Sequence, residues 1–176
     1  MKLIKNKIWM LFAFALVFTA CHDFPVDEDG LLITTRNECY VSNFDLLDTD
    51  NNTVKVGEAY IDTLAQVAVI YVKFGTPLEN LWPRVSLCED AKLNPKITGR
   101  VDFNRSKVDI EFVDGDWKSG VAQKQLGERI VANPAMSPDS PVRYTVIAGN
   151  RKIKKEYKFL VVERPLQSVS YTHLRA

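Results

Sequence analysis

The chain has 176 residues, 46% hydrophobic and 26% charged, which is the make-up of an ordinary soluble domain. Its formal charge of +1 depends on Lys2, Lys5, Lys7 and Arg175 at the two extremities; residues 21–167 hold 19 Lys and Arg against 22 Asp and Glu, a net of −3. Without a cationic surplus to meet phosphate backbones, nucleic acid is excluded as the expected partner.

Residues 1–20 begin with Lys2, Lys5 and Lys7, run uncharged from Ile8 to Ala20, and end directly before Cys21. A basic start, an apolar run and a small-residue exit describe a secretory signal peptide. Because the run ends in cysteine it looks like a bacterial lipoprotein signal, in which Cys21 becomes the lipidated first residue of a 156-residue mature chain. That length suits one domain. Phe18 stands where such signals prefer leucine.

With Cys21 assigned to lipid, Cys39 and Cys88 remain as an even pair in an oxidising envelope compartment. They are open to a disulfide. The reading preferred from sequence is two buried thiols acting as small apolar residues, since spacing says nothing of Cα separation.

Residues 21–37 read as an acidic tether, in which His22–Gly30 carries four acids and little to bury. The sharper reading is a surface-export tag, as in lipoproteins of the Bacteroidota; the plainer one is solubility.

Strands and turns follow from Leu31. Leu31–Thr35 and Cys39–Leu47 are rich in β-branched and aromatic residues, and Asp48–Thr53 is a cluster of turn formers. Asp48, Asp50 and Asn52 have the 1-3-5 spacing of a calcium loop, but Thr53 stands where that loop needs glycine, so a hairpin turn is expected and no metal. Leu64–Phe74 sets Val67, Val69 and Tyr71 on one face and Ala68, Ile70 and Val72 on the other, the pattern of a central strand covered on both sides. Trp82–Cys88 alternates Trp82, Arg84 and Ser86 against Pro83, Val85 and Leu87, with Trp82 expected in the core. Lys107–Val113 reads as a half-buried antiparallel strand.

Val121–Asn133 is the one stretch of helical spacing, with Ala122, Leu126 and Ile130 on one face and Gly127 interrupting it. Arg143–Ala148 and Ile153–Val162 form a hairpin about Gly149–Lys152. Frequent short strands without βαβ alternation give an all-β class, an antiparallel β-sandwich over 38–164. Residues 165–176 read as a truncated end, non-native from about Ser168 and similar to translated adapter DNA, so the native chain is expected to run on past Gln167. The alternative is a short natural tail.

The only histidines, His22 and His173, fall in the tether and the tail. Residues 38–164 therefore offer no His-based zinc site and no Ser-His-Asp or Cys-His constellation. Nor do they hold a P-loop or a dinucleotide glycine pattern, and no cofactor is expected. Asp109, Glu111, Asp114 and Asp116 could pair as glycosidase carboxylates, but any strand edge would show as much, and no enzyme activity is expected. Asp62–Thr63–Leu64 matches the short acceptor pattern of Bacteroidota O-glycosylation at Thr63. Trp117, in a polar turn, is the candidate for stacking on a sugar ring; its plainer role is a loop residue folded back as a cap.

Taken together, the lipoprotein signal, the acidic tether, the passage LWPRVSLCEDAKLNPKITGRVDF and the hairpin SPVRYTVIAGNRKIKKEYKFLVV resemble Ig-like domains of Bacteroidota outer-membrane lipoproteins. Pro95–Gly99, Asp102–Phe103 and Tyr144–Gly149 carry the match, which spans roughly residues 38–163. Asn104–Asp139 is a long insertion relative to that pattern, and Gly149–Asn150 lacks its usual turn Asp. The resemblance implies a non-catalytic protein held at the outer membrane by its lipid anchor and exposed at the cell surface. It would act as a spacer or glycan-binding accessory beside neighbouring uptake proteins. The alternative role is a scaffold presenting a C-terminal domain beyond the sequence in hand.

Overall fold

The computed structural model describes residues 24–110 and 120–164. The chain divides into two compact units between Ile33 and Thr34. In the first, Val26 bridges Leu32 across a turn, and the Asp27 carboxylate accepts the amides of Asp29 (3.0 Å) and Leu31 (2.9 Å). The stretch read as tether thus closes a small hairpin of its own.

In the second unit the strands are β1 (Val41–Leu47), β2 (Tyr60–Asp62), β3 (Val67–Val72), β4 (Trp82–Leu87), β5 (Lys92–Asn94), β6 (Lys107–Val108), β7 (Val142–Ile147) and β8 (Lys154–Glu163), with one helix, α1 (Gly120–Ala132). β1 and β4 pair antiparallel as a two-stranded sheet. The larger sheet runs β2-β3-β8-β7-β5. β6 lies on the same edge of β8 as β7, beyond the point where β7 begins.

The β class is as expected, but the antiparallel pairing expected of the Ig-like sandwich is corrected. β8 pairs in parallel with β3 and with β6, and the protein is mainly β with one helix and a mixed large sheet. Local alternation reveals a strand and its faces, whereas partner and direction are set by segments far apart in sequence. Lys107–Val108 therefore pairs parallel to β8, not in an antiparallel ladder.

β3 is buried along its whole length, as a run apolar on both faces requires. One face gives Ala68, Ile70 and Val72 to a core shared with Phe44 and Leu46 of β1, Tyr144 and Val146 of β7, and Tyr157, Phe159 and Val161 of β8. Phe44 meets Phe159 edge-on at 4.8 Å between ring centroids, and Tyr144 meets the same ring at 5.5 Å. The other face packs Val67, Val69 and Tyr71 with Leu160 and Val162 against Leu126 and Ile130 of α1. The residues read as an insertion thus supply a layer of the domain.

Helix and sheet are also pinned by polar bonds. The buried Tyr71 hydroxyl, its pKa pushed up by burial, donates to the carbonyl of Gln123 at 2.5 Å. The Gln123 amide in turn donates to the Val56 carbonyl at 2.7 Å. Gly57, at φ +76°, lies so close to the Gln123 side chain that a Cβ would overlap it. Gly127, which looked like a flaw in the helix, is where α1 meets the Tyr60 ring too closely for any side chain.

At the far end of β8, Glu163 accepts hydrogen bonds from Lys107 and from the Gly75 amide (2.5 Å), joining β6 and the turn after β3 to β8. Burial works to raise its pKa, but these bonds and the Lys107 charge outweigh burial, and the net shift is downward. A lowered folded pKa adds stability that is full above the ordinary glutamate value of 4.5 and lost as pH falls through the folded value. Glu163→Gln should therefore flatten the acid limb of a urea-midpoint profile between pH 7 and pH ~3. Gly127→Ala should cost about 1–3 kcal/mol by overpacking Tyr60, against a gain of about 1 kcal/mol in helix propensity. Urea unfolding should therefore show a net loss.

Candidate functional site

The β1–β4 sheet has one face on the core and one toward solvent, so alternation along β4 decides which side chains are presented. Pro83, Val85 and Leu87 turn inward, while Trp82, Arg84 and Ser86 turn outward. Trp82 is 37% exposed, which corrects its expected place in the core. The physical reason is its company: it shares a face with an arginine and a serine, and the apolar residues of the strand hold the other face.

Across the ladder, Trp82 faces Leu47 and Arg84 faces Asp45. Asp45 is 3% exposed although it lies on the outer face. Its carboxylate accepts the Arg84 guanidinium (2.6 Å), the Thr53 hydroxyl (2.6 Å) and the Leu46 amide (2.8 Å). Burying a carboxylate is tolerable only with such partners. They fix Arg84 beside Trp82 and hold Thr53 against β1.

Next to this face opens a cleft of about 490 Å³, lined by Asp48, Thr49, Thr53, Lys55, Lys73, Glu79 and Asn80 among others. Trp82 does not line it, but the preceding Leu81 does, and Leu47, opposite Trp82 in the ladder, bridges Thr53 on its wall. The wall is braced from behind. Arg100 donates to the carbonyls of Asp48 (2.7 Å), Asn80 (3.2 Å) and Thr49 (3.2 Å), tying two loops together. The Asp48 carboxylate accepts the amides of Asp50 and Asn52, both at 2.9 Å, in a side-chain-capped turn. A braced cleft rich in donors and acceptors can hold a polar molecule, and the exposed indole one residue from its Leu81 wall is a surface for an apolar face.

Of the residues singled out from sequence, Cys21 and Trp117 lie outside the described residues, as do Glu111, Asp114 and Asp116, so Asp109 is the only one of the four carboxylates described, and it is exposed. Thr63 is exposed in the β2–β3 turn, where the Asp62 carboxylate accepts the amides of Leu64 and Ala65. Cys39 and Cys88 are both buried and free. Among the described residues no group of three or more His, Cys, Asp or Glu could hold a metal ion. No described helix is long and apolar enough to cross a membrane.

No protein-family model and no curated protein matches the chain. Among solved structures it is similar to a Bacteroides thetaiotaomicron protein proposed to be a glycoside hydrolase, with a TM-score of 0.46 and 20% identity over 73% of this chain and 26% of that one. It is also similar to a Bacteroides fragilis protein proposed to be secreted, with a TM-score of 0.40 and 12% identity over 73% of this chain and 97% of that one. The chain thus spans about a quarter of the first protein's length. No family assignment follows.

Replacing Asp45 by Ala leaves the Thr53 hydroxyl without its acceptor and frees Arg84. The expected cost is about 1–3 kcal/mol in denaturant unfolding.

Proposed function

We propose that this protein is a non-catalytic, lipid-anchored component of a polysaccharide-capture system at the cell surface, and that it contacts glycan through the outer face of β1–β4. The observation that carries the reading is Trp82, an indole on the solvent face of β4 that directly follows Leu81 in the wall of a polar cleft. Sugar rings offer hydroxyls around their rim and apolar C–H faces. The cleft supplies carboxylates, lysines, an amide and threonine hydroxyls for the first, and Trp82 supplies a platform for the second. Anchoring rests on the basic, apolar and Cys21-terminated start of the chain. Trp117, in the polar sequence Asp114–Gly120, is proposed as a second sugar-contacting aromatic.

The mature chain, made soluble by Cys21→Ser, should be retarded in native gels cast with soluble polysaccharides. Trp82→Ala should weaken that retardation at least tenfold while leaving the unfolding midpoint nearly unchanged, because the indole belongs to neither core cluster. Retardation untouched by Trp82→Ala but lost in Trp117→Ala would move the surface to the other tryptophan. No retardation by any polysaccharide would sink the glycan reading and favour the scaffold.

A further inference from the structure

The polypeptide enters the second unit through a clamp at one end of the β1–β4 sheet. The Thr34 amide donates to the Gly149 carbonyl and the Asn150 amide to the Arg36 carbonyl, both at 3.0 Å. The Asn150 side chain donates to the side-chain oxygen of Asn37 at 2.6 Å. Arg36 pairs with Glu89 at 2.9 Å and with Asp90 at 3.1 Å. A Cβ on Gly149 would lie 2.3 Å from the Thr34 hydroxyl oxygen, so glycine is what admits this contact. Glu89 and Asp90 follow the Leu87 end of β4, and Trp82 begins its other end, roughly 17 Å away along the strand.

We infer that the β7–β8 turn is the membrane-facing surface of the domain, and that it meets a bilayer bearing anionic headgroups. The first reason is charge. Residues 151–155, RKIKK, hold four cations in five positions. Arg151 donates to the carbonyls of Asp90 (2.9 Å) and Ala148 (3.1 Å). Lys152 and Lys154 are exposed and Lys155 is half-exposed, and none of the three has an ion pair among the described residues. Ile153 is exposed between them. Of the acids about the turn, Glu89 and Asp90 pair with Arg36 and Glu156 with Arg143, which leaves Glu38. The patch is thus cationic, although residues 21–167 carry a net −3. Lysines near an anionic surface are held by its potential, and an apolar residue among them can enter the headgroup layer.

The second reason is connectivity, and it rests on the lipid anchor proposed above at Cys21. The Pro25 carbonyl accepts the Ile33 amide at 2.7 Å, so the hairpin between them doubles back and adds little length. From Cys21 to Thr34 the chain therefore reaches at most about 25 Å. The clamp ends that short strap on Gly149 and Asn150, directly before the basic residues. Charge and connectivity select the same end of the domain. The other end, with Trp82 and the cleft wall at Leu81, is left facing away from the bilayer, open to a polysaccharide.

The mature chain should be coupled through the Cys21 thiol to a maleimide lipid, which the burial of Cys39 and Cys88 makes selective. The vesicles are phosphatidylcholine alone, or phosphatidylcholine mixed with phosphatidylglycerol. Lysine acylation, read by peptide mass spectrometry, then compares the two ends of one molecule. On the mixed vesicles Lys152 and Lys154 should react roughly fivefold more slowly than in the uncoupled chain, and added salt should remove the protection. Lys73, which lines the cleft, should react as before. Arg36→Ala, which loosens the clamp, should shrink the difference between Lys152 and Lys73. No protection, equal protection of Lys73, or equal protection on phosphatidylcholine alone overturns the inference. So does protection of Lys152 and Lys154 by a soluble acidic polysaccharide but not by vesicles, which would assign the patch to glycan. Because the coupling supplies the anchor, a chain that carries no lipid in its native cell sinks the anchoring and leaves the vesicle result standing. Retardation by polysaccharide that ignores Trp82→Ala bears on the glycan surface alone.

Discussion

The parallel pairing of β3 with β8 is the constraint from which the rest of the architecture follows. Residues Val67–Val72 lie beside Lys158–Glu163, and the two strands present apolar side chains on both faces. A two-faced apolar ribbon is stable only when both faces are covered. One cover is the β1–β4 sheet, seated through Phe44 and Leu46, and the other is α1, seated through Leu126 and Ile130. Tyr71 and Gln123 bind the helix by hydrogen bonds as well as by packing. Gly57 and Gly127 allow the close approach those contacts need.

The two covers differ in what they leave free. A two-stranded sheet that spends one face on the core has a whole second face to present, and its alternation sends Trp82, Arg84 and Ser86 there. Asp45 is the one charged residue of that face drawn out of solvent, and its three partners make it a fixed point. Through Thr53 the same carboxylate connects the strand face to the cleft, and Arg100 holds the cleft from the loop side. The candidate surface is thus a by-product of core construction, stiffened by a few charge-assisted bonds.

Second-layer bonding also explains why the chain entering the domain is ordered. Residues 34–37 read as the last part of a tether, yet the Thr34 amide donates to the Gly149 carbonyl and the Asn150 amide to the Arg36 carbonyl. Arg36 pairs with Glu89 and Asp90, and Arg151 donates to the Asp90 carbonyl. Charge and polarity alone made this stretch look solvated. Only the presence of the β7–β8 turn beside it reveals partners for its backbone groups.

What the sequence determined by itself was local: where strands lie, which residues share a face, and where the one helix sits. Leu64–Phe74 could be read as a strand buried on both sides because both alternating sets are apolar, and Val121–Asn133 as a helix because Leu126 and Ile130 recur at its period. The Gly149–Lys152 turn joined its strands as its composition required. The outward place of Trp82 was also present in the pattern, since Arg84 and Ser86 share its face; a general expectation that tryptophan is buried obscured it. What only tertiary structure decided were the non-local relations. These are the parallel direction of β3 and β6 against β8, the use of α1 as a covering layer, the burial of Asp45 and the approach of the Cys88 sulfur to the Tyr40 amide. A side chain's period is written in its neighbours along the chain, but its partner is chosen by whichever surface is left to cover.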